Sequence, residues 1–165
     1  MSGGQDAARV ATPGATVRRA GDDDVPAAAA GIAELLVELG GEGPAAVELE
    51  RAVRELAGDR EKGALLVAAV EGGGIVGVLA ASWQFAPHVP GRYGTIQDLW
   101  VDPEWRSKAI GRDLLAAFFE LAKGEGAKRV EVGLPREDFA GLPATEAFYL
   151  GNGFVHLGPR MRRVL

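Results

Sequence analysis

Two apolar runs, Ala64–Val70 and Ile75–Trp83, stand on either side of Glu71-Gly72-Gly73-Gly74. Each run has the length of a strand, and the glycine-rich break between them is a hairpin signal. An antiparallel pair is therefore the first element the chain commits to. A proline-broken loop, Ala86–Gly91 (APHVPG), leads to another strand over Tyr93–Val101. With 165 residues the chain can enclose one substantial core,.

Around this pair the periodicity turns helical. Ile32, Leu35, Leu36 and Leu39 recur at helical spacing after the capping run Gly21–Pro26, and Gly40-Gly41 stops them,. A second helix is expected over Pro44–Ala57. A third starts near Ile110, sets Leu114, Phe118 and Leu121 on one face, and ends around Lys123-Gly124,. Thr16–Ala20 reads as an opening strand and Arg129–Leu134 as a later one. A short helix over Thr145–Gly151 and a last strand or two from Phe154 to Leu165 complete the plan. Met1–Ala15, rich in small residues without periodicity, is expected to be a flexible tail ahead of one domain, residues 16–165,. The order β-α-α-β-β-β-α-β-α-β is a mixed α/β fold.

Composition removes several chemistries. There is no cysteine, hence no disulfide, thiolate ligand or cysteine nucleophile, and two histidines make a zinc site improbable, so no metal is expected,. A net charge of −5 argues against a general nucleic-acid binder,. Without a signal-like start or an apolar span, a soluble, cytoplasmic protein with no membrane partner is the expectation.

The string Trp105–Leu115, WRSKAIGRDLL, concentrates Arg106, Lys108 and Arg112 around Ala109 and Gly111 just where a helix begins. The first amides of a helix have no intrahelical partner, and with the helix dipole they favour phosphate. A merely solvated cationic first turn fits the same residues. The context is more specific. Ile96–Leu115 (IQDLWVDPEWRSKAIGRDLL) resembles the acetyl-CoA-binding core of the GCN5-related N-acetyltransferase superfamily. That motif is Gln or Arg, two residues, Gly, one residue, then Gly or Ala, after a strand ending near Val-x-Pro. Here it reads Arg106-Ser107-Lys108-Ala109-Ile110-Gly111. A second signature, Phe-Tyr on a short helix followed by Gly-Phe, appears as Phe148-Tyr149 and Gly153-Phe154.

The resemblance implies a mostly antiparallel central sheet flanked by helices, with a splayed strand pair forming the acetyl-CoA cleft. The pyrophosphate of acetyl-CoA would sit on the loop of Arg106, Ser107, Lys108, Ala109, Ile110, Gly111 and Arg112. The pantetheine arm would pair with the backbone of Leu99, Trp100 and Val101. An amine acceptor, with small molecules favoured, would attack the thioester directly in a ternary complex. Dimers are common in the resembled family, so a homodimer is compatible. The departure is Ala109, where the motif has glycine: its Cβ removes easy access to positive φ and could crowd the pyrophosphate. Ala109 also motivates an alternative, a non-catalytic acyl-CoA-binding or sensing protein, and a third reading keeps the pocket only as a remnant in a partner-binding module.

The resemblance also points to Tyr149 as the proton donor to the departing thiolate. A phenol of pKa ~10 can serve a thiolate whose conjugate acid titrates near ~8.5. Packing of the Tyr149 ring in the core is the plainer alternative. Asp98, on the strand entering the cleft, resembles the acidic position of several polyamine- and small-amine-acetylating members and is the leading base. A lone strand acid can equally pair with an arginine. His88 and Gln97 are weaker candidates, and Glu34, Glu38 and Glu42 could border the acceptor cleft or simply be solvated. Trp83, Trp100 and Trp105 read as core or cleft wall, Phe118 and Phe119 as packing.

Overall fold

The computed structural model describes residues 11–12 and 14–165. Its six-stranded sheet runs in the order β1 to β6: β1 (Ala11–Thr12), β2 (Ala15–Arg19), β3 (Gly63–Val70), β4 (Ile75–Ala86), β5 (Val89–Val101) and β6 (Val130–Val132). Neighbours pair antiparallel until β5 and β6, which are parallel. Helices α1 (Val25–Glu38) and α2 (Ala46–Gly58) separate β2 from β3, α3 (Ile110–Gly124) connects β5 to β6, and α4 (Leu142–Gly151) follows β6.

The continuous apolar run in β3 has a simple cause. Ala64, Leu66 and Ala68 join one core cluster, with α3; Leu65 and Val67 join another, with α1 and α2. A strand covered on both faces needs apolar residues at every position, whereas a half-exposed strand alternates. On the first side α3 contributes Ile110, Leu114, Leu115 and Phe118, all essentially inaccessible to solvent. On the other, Val25, Ala28 and Ile32 of α1 meet Trp100 of β5. Burying a side chain such as Phe118 contributes about 1.5–3 kcal/mol.

Where the structure departs from the sequence pattern, tertiary pairing decides. The stretch 86–91 is not an open loop: β4 runs to Ala86 and β5 begins at Val89, with a register shift at Phe85/Ala86 that absorbs the prolines,. Ala11–Thr12 pairs with Ala15–Thr16, so strand structure reaches into the expected tail. The remainder of that tail before Gly14, residues 1–10 and 13, lies outside the described residues. The expected last strand is absent: residues 154–165 form no helix or strand. The short β6 presents only three residues as a template, Pro159 lacks an N–H, and Arg160, Arg162 and Arg163 repel one another,. Val155, Leu157, Met161 and Val164 consequently remain exposed.

Candidate functional site

The site begins with a change in pairing along β5. Gly94, Thr95 and Ile96 lie between β4 and β6, opposite Val130, Glu131 and Val132 of the latter. From Asp98 to Val101 the strand pairs with β4 alone, through Ala80, Leu79, Val78 and Gly77. Gln97 is the extra residue of a bulge between those two halves, and its side-chain amide donates to the Ser82 hydroxyl at 2.8 Å. A bulge bends its strand and re-aims the residues that follow. No strand therefore covers the other edge of Leu99, Trp100 and Val101, as an added extended chain requires, although the Val101 carbonyl already accepts from Arg106 Nε,.

After Val101 the chain turns through a 3₁₀ segment, Pro103–Trp105, capped by Asp102, whose carboxylate accepts from the Glu104 amide at 2.8 Å. It then enters the Arg106–Gly111 loop. Ser107 (φ 62°) and Ala109 (φ 66°) are both left-handed, the only non-glycine residues so placed among the described residues. Such residues store strain of about 1–3 kcal/mol each, and successive amides in alternating handedness form a concave anion nest. The amides of Ser107, Lys108 and Ala109 meet no backbone carbonyl among the described residues. Ala109 is the N-cap of α3, whose first turn adds further free donors,. Its carbonyl accepts from the Asp113 amide at 2.9 Å, which starts the helix. The chemistry of this donor set fits a pyrophosphate. Alanine has therefore kept the backbone shape that a glycine would adopt without cost. Gly111 lets the Phe148 ring approach: a Cβ there would stand 3.2 Å from its Cζ.

The basic side chains divide their work. Arg106 donates through both terminal nitrogens to Glu38 (2.9 and 2.8 Å) and through Nε to the Val101 carbonyl at 3.1 Å. Its guanidinium ties the loop to the end of α1 with three of its five N–H donors, and Glu38 balances its charge,. The Lys108 ammonium lies 4.8 Å over the Trp105 ring, and Arg112 Nε is 3.7 Å from Asp113. Both remain exposed at the mouth of the loop.

Asp98 and Tyr149 come together electrostatically. Burial pushes the Asp98 carboxyl above the usual carboxylate range,. Tyr149, on α4, is 8% exposed, with Phe148 and Phe154 each 5.2 Å away in edge-on contact. Burial, and after it the negative charge of Asp98, pushes its phenol up to about 12. A phenol so placed stays protonated at neutral pH and is available as a donor. Tyr149 packs with the α3 layer while Asp98 lies opposite Ala80 of the α1 layer. The gap beside the open end of β5 is where the two layers meet.

The remaining positions fall elsewhere. His88 sits exposed in the β4–β5 turn, at the far end of β5 from Asp98. Trp83 stacks on Phe118 at 5.7 Å, and Trp100 is buried beneath α1. Glu42 lies exposed between α1 and α2. The Arg106–Glu38 pair, the left-handed Ser107 and the bulge at Gln97 were not visible in sequence. No cluster of three or more His, Cys, Asp or Glu side chains stands ready to hold a metal among the described residues, and no described helix is long and apolar enough to cross a membrane.

The sequence matches the acetyltransferase (GNAT) family over residues 29–154. No curated protein matches it. Among solved structures, a possible acetyltransferase from Clostridium difficile 630 is 20% identical, with TM-score 0.78 over 92% of this chain and 97% of the other. A transcriptional regulator from Bacillus halodurans C-125 is 24% identical, with TM-score 0.73 over 90% and 99%. An aminoglycoside acetyltransferase from an uncultured soil metagenomic sample is 19% identical, with TM-score 0.71 over 93% and 97%. At these identities the likeness is one of fold.

Proposed function

From the premise that the chain belongs to the GNAT acetyltransferase family, we propose that it transfers the acetyl group of acetyl-CoA to a primary amine, with a small-molecule acceptor favoured. The observation that carries this reading is the continuity of three features. A one-sided strand, Leu99–Val101, leads into the left-handed turn at Ser107–Gly111, and the partly buried Asp98 before that strand acts electrostatically on the buried phenol of Tyr149.

In this reading the pyrophosphate rests on the nest amides, with Lys108 and Arg112 complementing its charge. The pantetheine arm takes the free edge of Leu99–Val101. The amine nitrogen attacks the thioester carbonyl, the C–N bond forms, and the C–S bond breaks as the tetrahedral centre collapses. Asp98 accepts the amine proton through water; its raised pKa brings it nearer to the task than an ordinary carboxylate,. Tyr149 gives its proton to the leaving thiolate. The demand on the base is modest for an amine of pKa ~7.8, which loses only ~1 kcal/mol to protonation at pH 7, and larger for a lysine-like amine, at ~4.6 kcal/mol. A sensing protein would use the same nest but has no need of a partly desolvated acid near a buried phenol.

The test is CoA release from acetyl-CoA against a panel of amines, followed with a thiol reagent. The protein has no cysteine to contribute background. Tyr149→Phe is expected to lower kcat by about 10²-fold while leaving acetyl-CoA affinity within about two-fold. Equal turnover by the two proteins would remove Tyr149 from the mechanism, and no release with any amine would remove the activity.

A further inference from the structure

Helix α1 ends on an acidic residue. Glu38 is its last position, and no basic side chain stands in its last turn. A carboxylate there faces the negative end of the helix dipole, which costs energy unless a cation offsets it. The cation is Arg106, 68 residues further on, which donates through both terminal nitrogens at 2.9 and 2.8 Å. Both side chains are partly exposed and border a cavity of about 460 Å³ under the end of α1. Hydrogen bonds rather than close packing therefore fix the guanidinium.

What the guanidinium holds is the end of the open strand. The Asp102 amide donates to the Val76 carbonyl at 2.9 Å, so these two residues form a hydrogen-bonded pair continuing the β4–β5 ladder. Such pairs alternate with pairs whose backbone groups turn outward. The outward groups at this end belong to Leu99 and Val101, opposite Leu79 and Gly77. The Val101 carbonyl is the last of them, and Arg106 Nε donates to it at 3.1 Å. One side chain thus joins the outward edge of β5, the end of α1 and the backbone that enters the left-handed residues Ser107 and Ala109.

The joint matters to a ligand that uses both the edge and the loop. Its arm and its pyrophosphate are linked covalently, so the two protein surfaces have to keep one separation. Between them the backbone has only the short turn from Asp102 to Arg106. Its backbone bonds run from the Trp105 amide to the Asp102 carbonyl at 2.8 Å and from the Arg106 amide to the Pro103 carbonyl at 3.4 Å. The second is long for a hydrogen bond.

We infer that Glu38 is a positioning residue for the acyl donor: through Arg106 it sets the separation between the pantetheine edge at Leu99–Val101 and the pyrophosphate loop at Ser107–Gly111. This rests on the acetyl-transfer reading above but makes its own claim, because charge alone gives the opposite sign. Removing a carboxylate beside an anion site, and with it the partner of a nearby guanidinium, should tighten anion binding. Loss of the strut weakens binding instead, and only for a ligand that spans both surfaces.

Calorimetric titration of CoA and of adenosine diphosphate into the whole protein reads this without turnover. CoA spans edge and loop, whereas adenosine diphosphate carries a pyrophosphate and no pantetheine arm. Glu38→Ala is expected to weaken CoA binding about ten-fold while changing adenosine diphosphate binding by less than about two-fold. Its Tm should move little, since a partly exposed ion pair contributes little to stability,. Arg106→Lys keeps the charge but not the planar fork, and should give the same selective loss, with no further loss in the double variant. Tighter or unchanged CoA binding in Glu38→Ala, an equal loss for both ligands, or additive losses in the double variant overturns the inference. Failure of adenosine diphosphate to bind the wild type removes the loop as a pyrophosphate site, and the inference with it. A parallel CoA-release assay separates the two claims. A selective loss in Glu38→Ala without release by the wild type from any amine sinks the acetyl-transfer reading alone; release with an unselective or absent loss sinks this inference alone.

Discussion

The two ends of β5 are built for different work. At its paired end, Gly94–Ile96 lie between two strands, and the side chain of Ile96 is buried against α3 and its neighbours. At its open end, Asp98–Val101 has one pairing partner, a partly buried acid, and a following loop that carries left-handed Ser107 and Ala109. The first end stores stability. The second spends it: a partly desolvated carboxylate and strained backbone persist only because the rest of the sheet holds them in place. In this fold the boundary is a single bulged residue, Gln97.

Substitutions on either side of that boundary should separate stability from activity. Ile96→Ala is the largest expected effect, a loss of about 2–5 kcal/mol in unfolding free energy. Denaturant titration measures it, and acetyl-CoA affinity of the folded fraction should be little changed. A loss of binding out of proportion to folding would erase the distinction between the two ends.

Asp98→Asn should act in the opposite sense on the two properties. Turnover is expected to fall by about 10²-fold. Because burial raises the folded-state pKa of Asp98 above its unfolded value, the unfolded chain ionises first as pH rises. Stability therefore drops between those two values and stays lower above the folded one,. Removing the carboxylate should then raise Tm at pH 7 and leave it unchanged near pH 3. The rising acid limb of the wild-type kcat/KM profile should also disappear in the variant. A variant no more stable than wild type at neutral pH would mean that Asp98 carries no desolvation cost.

The smallest expected effect is at the nest. Ala109→Gly relieves a left-handed alanine, at φ 66°, and should stabilise the protein by about 1 kcal/mol,. If the Ala109 Cβ also crowds the pyrophosphate, acetyl-CoA binds several-fold more tightly. Unchanged or weaker affinity, read by calorimetry, would leave only the backbone effect.

How far the sequence revealed this division follows from the range of the interactions. The β3–β4 hairpin and α3 are local: Gly72 and Gly73 supply the turn, and Leu114, Phe118 and Leu121 the helical face, so both were readable. The loop before α3 stands out as a candidate anion site because its charges and small residues are consecutive. Its fastening does not, since Arg106 meets Glu38 across 68 positions. The desolvation of Asp98 depends on elements far apart in the chain, and a bulge leaves no mark in an apolar run. The C-terminal segment shows the reverse error. Val155, Leu157, Met161 and Val164 suggest strand locally, but a three-residue β6 offers too short an edge to pair with.

The central claim is that the open end of β5 and the loop after it receive acetyl-CoA. Amide hydrogen exchange, with and without acetyl-CoA at saturating concentration, tests it directly. The account predicts slowed exchange confined to residues 98–101 and 107–112, with residues 94–96 unaffected because their amides are already enclosed between β4 and β6,. Unchanged exchange across residues 98–112, or protection confined to the paired end, would contradict it.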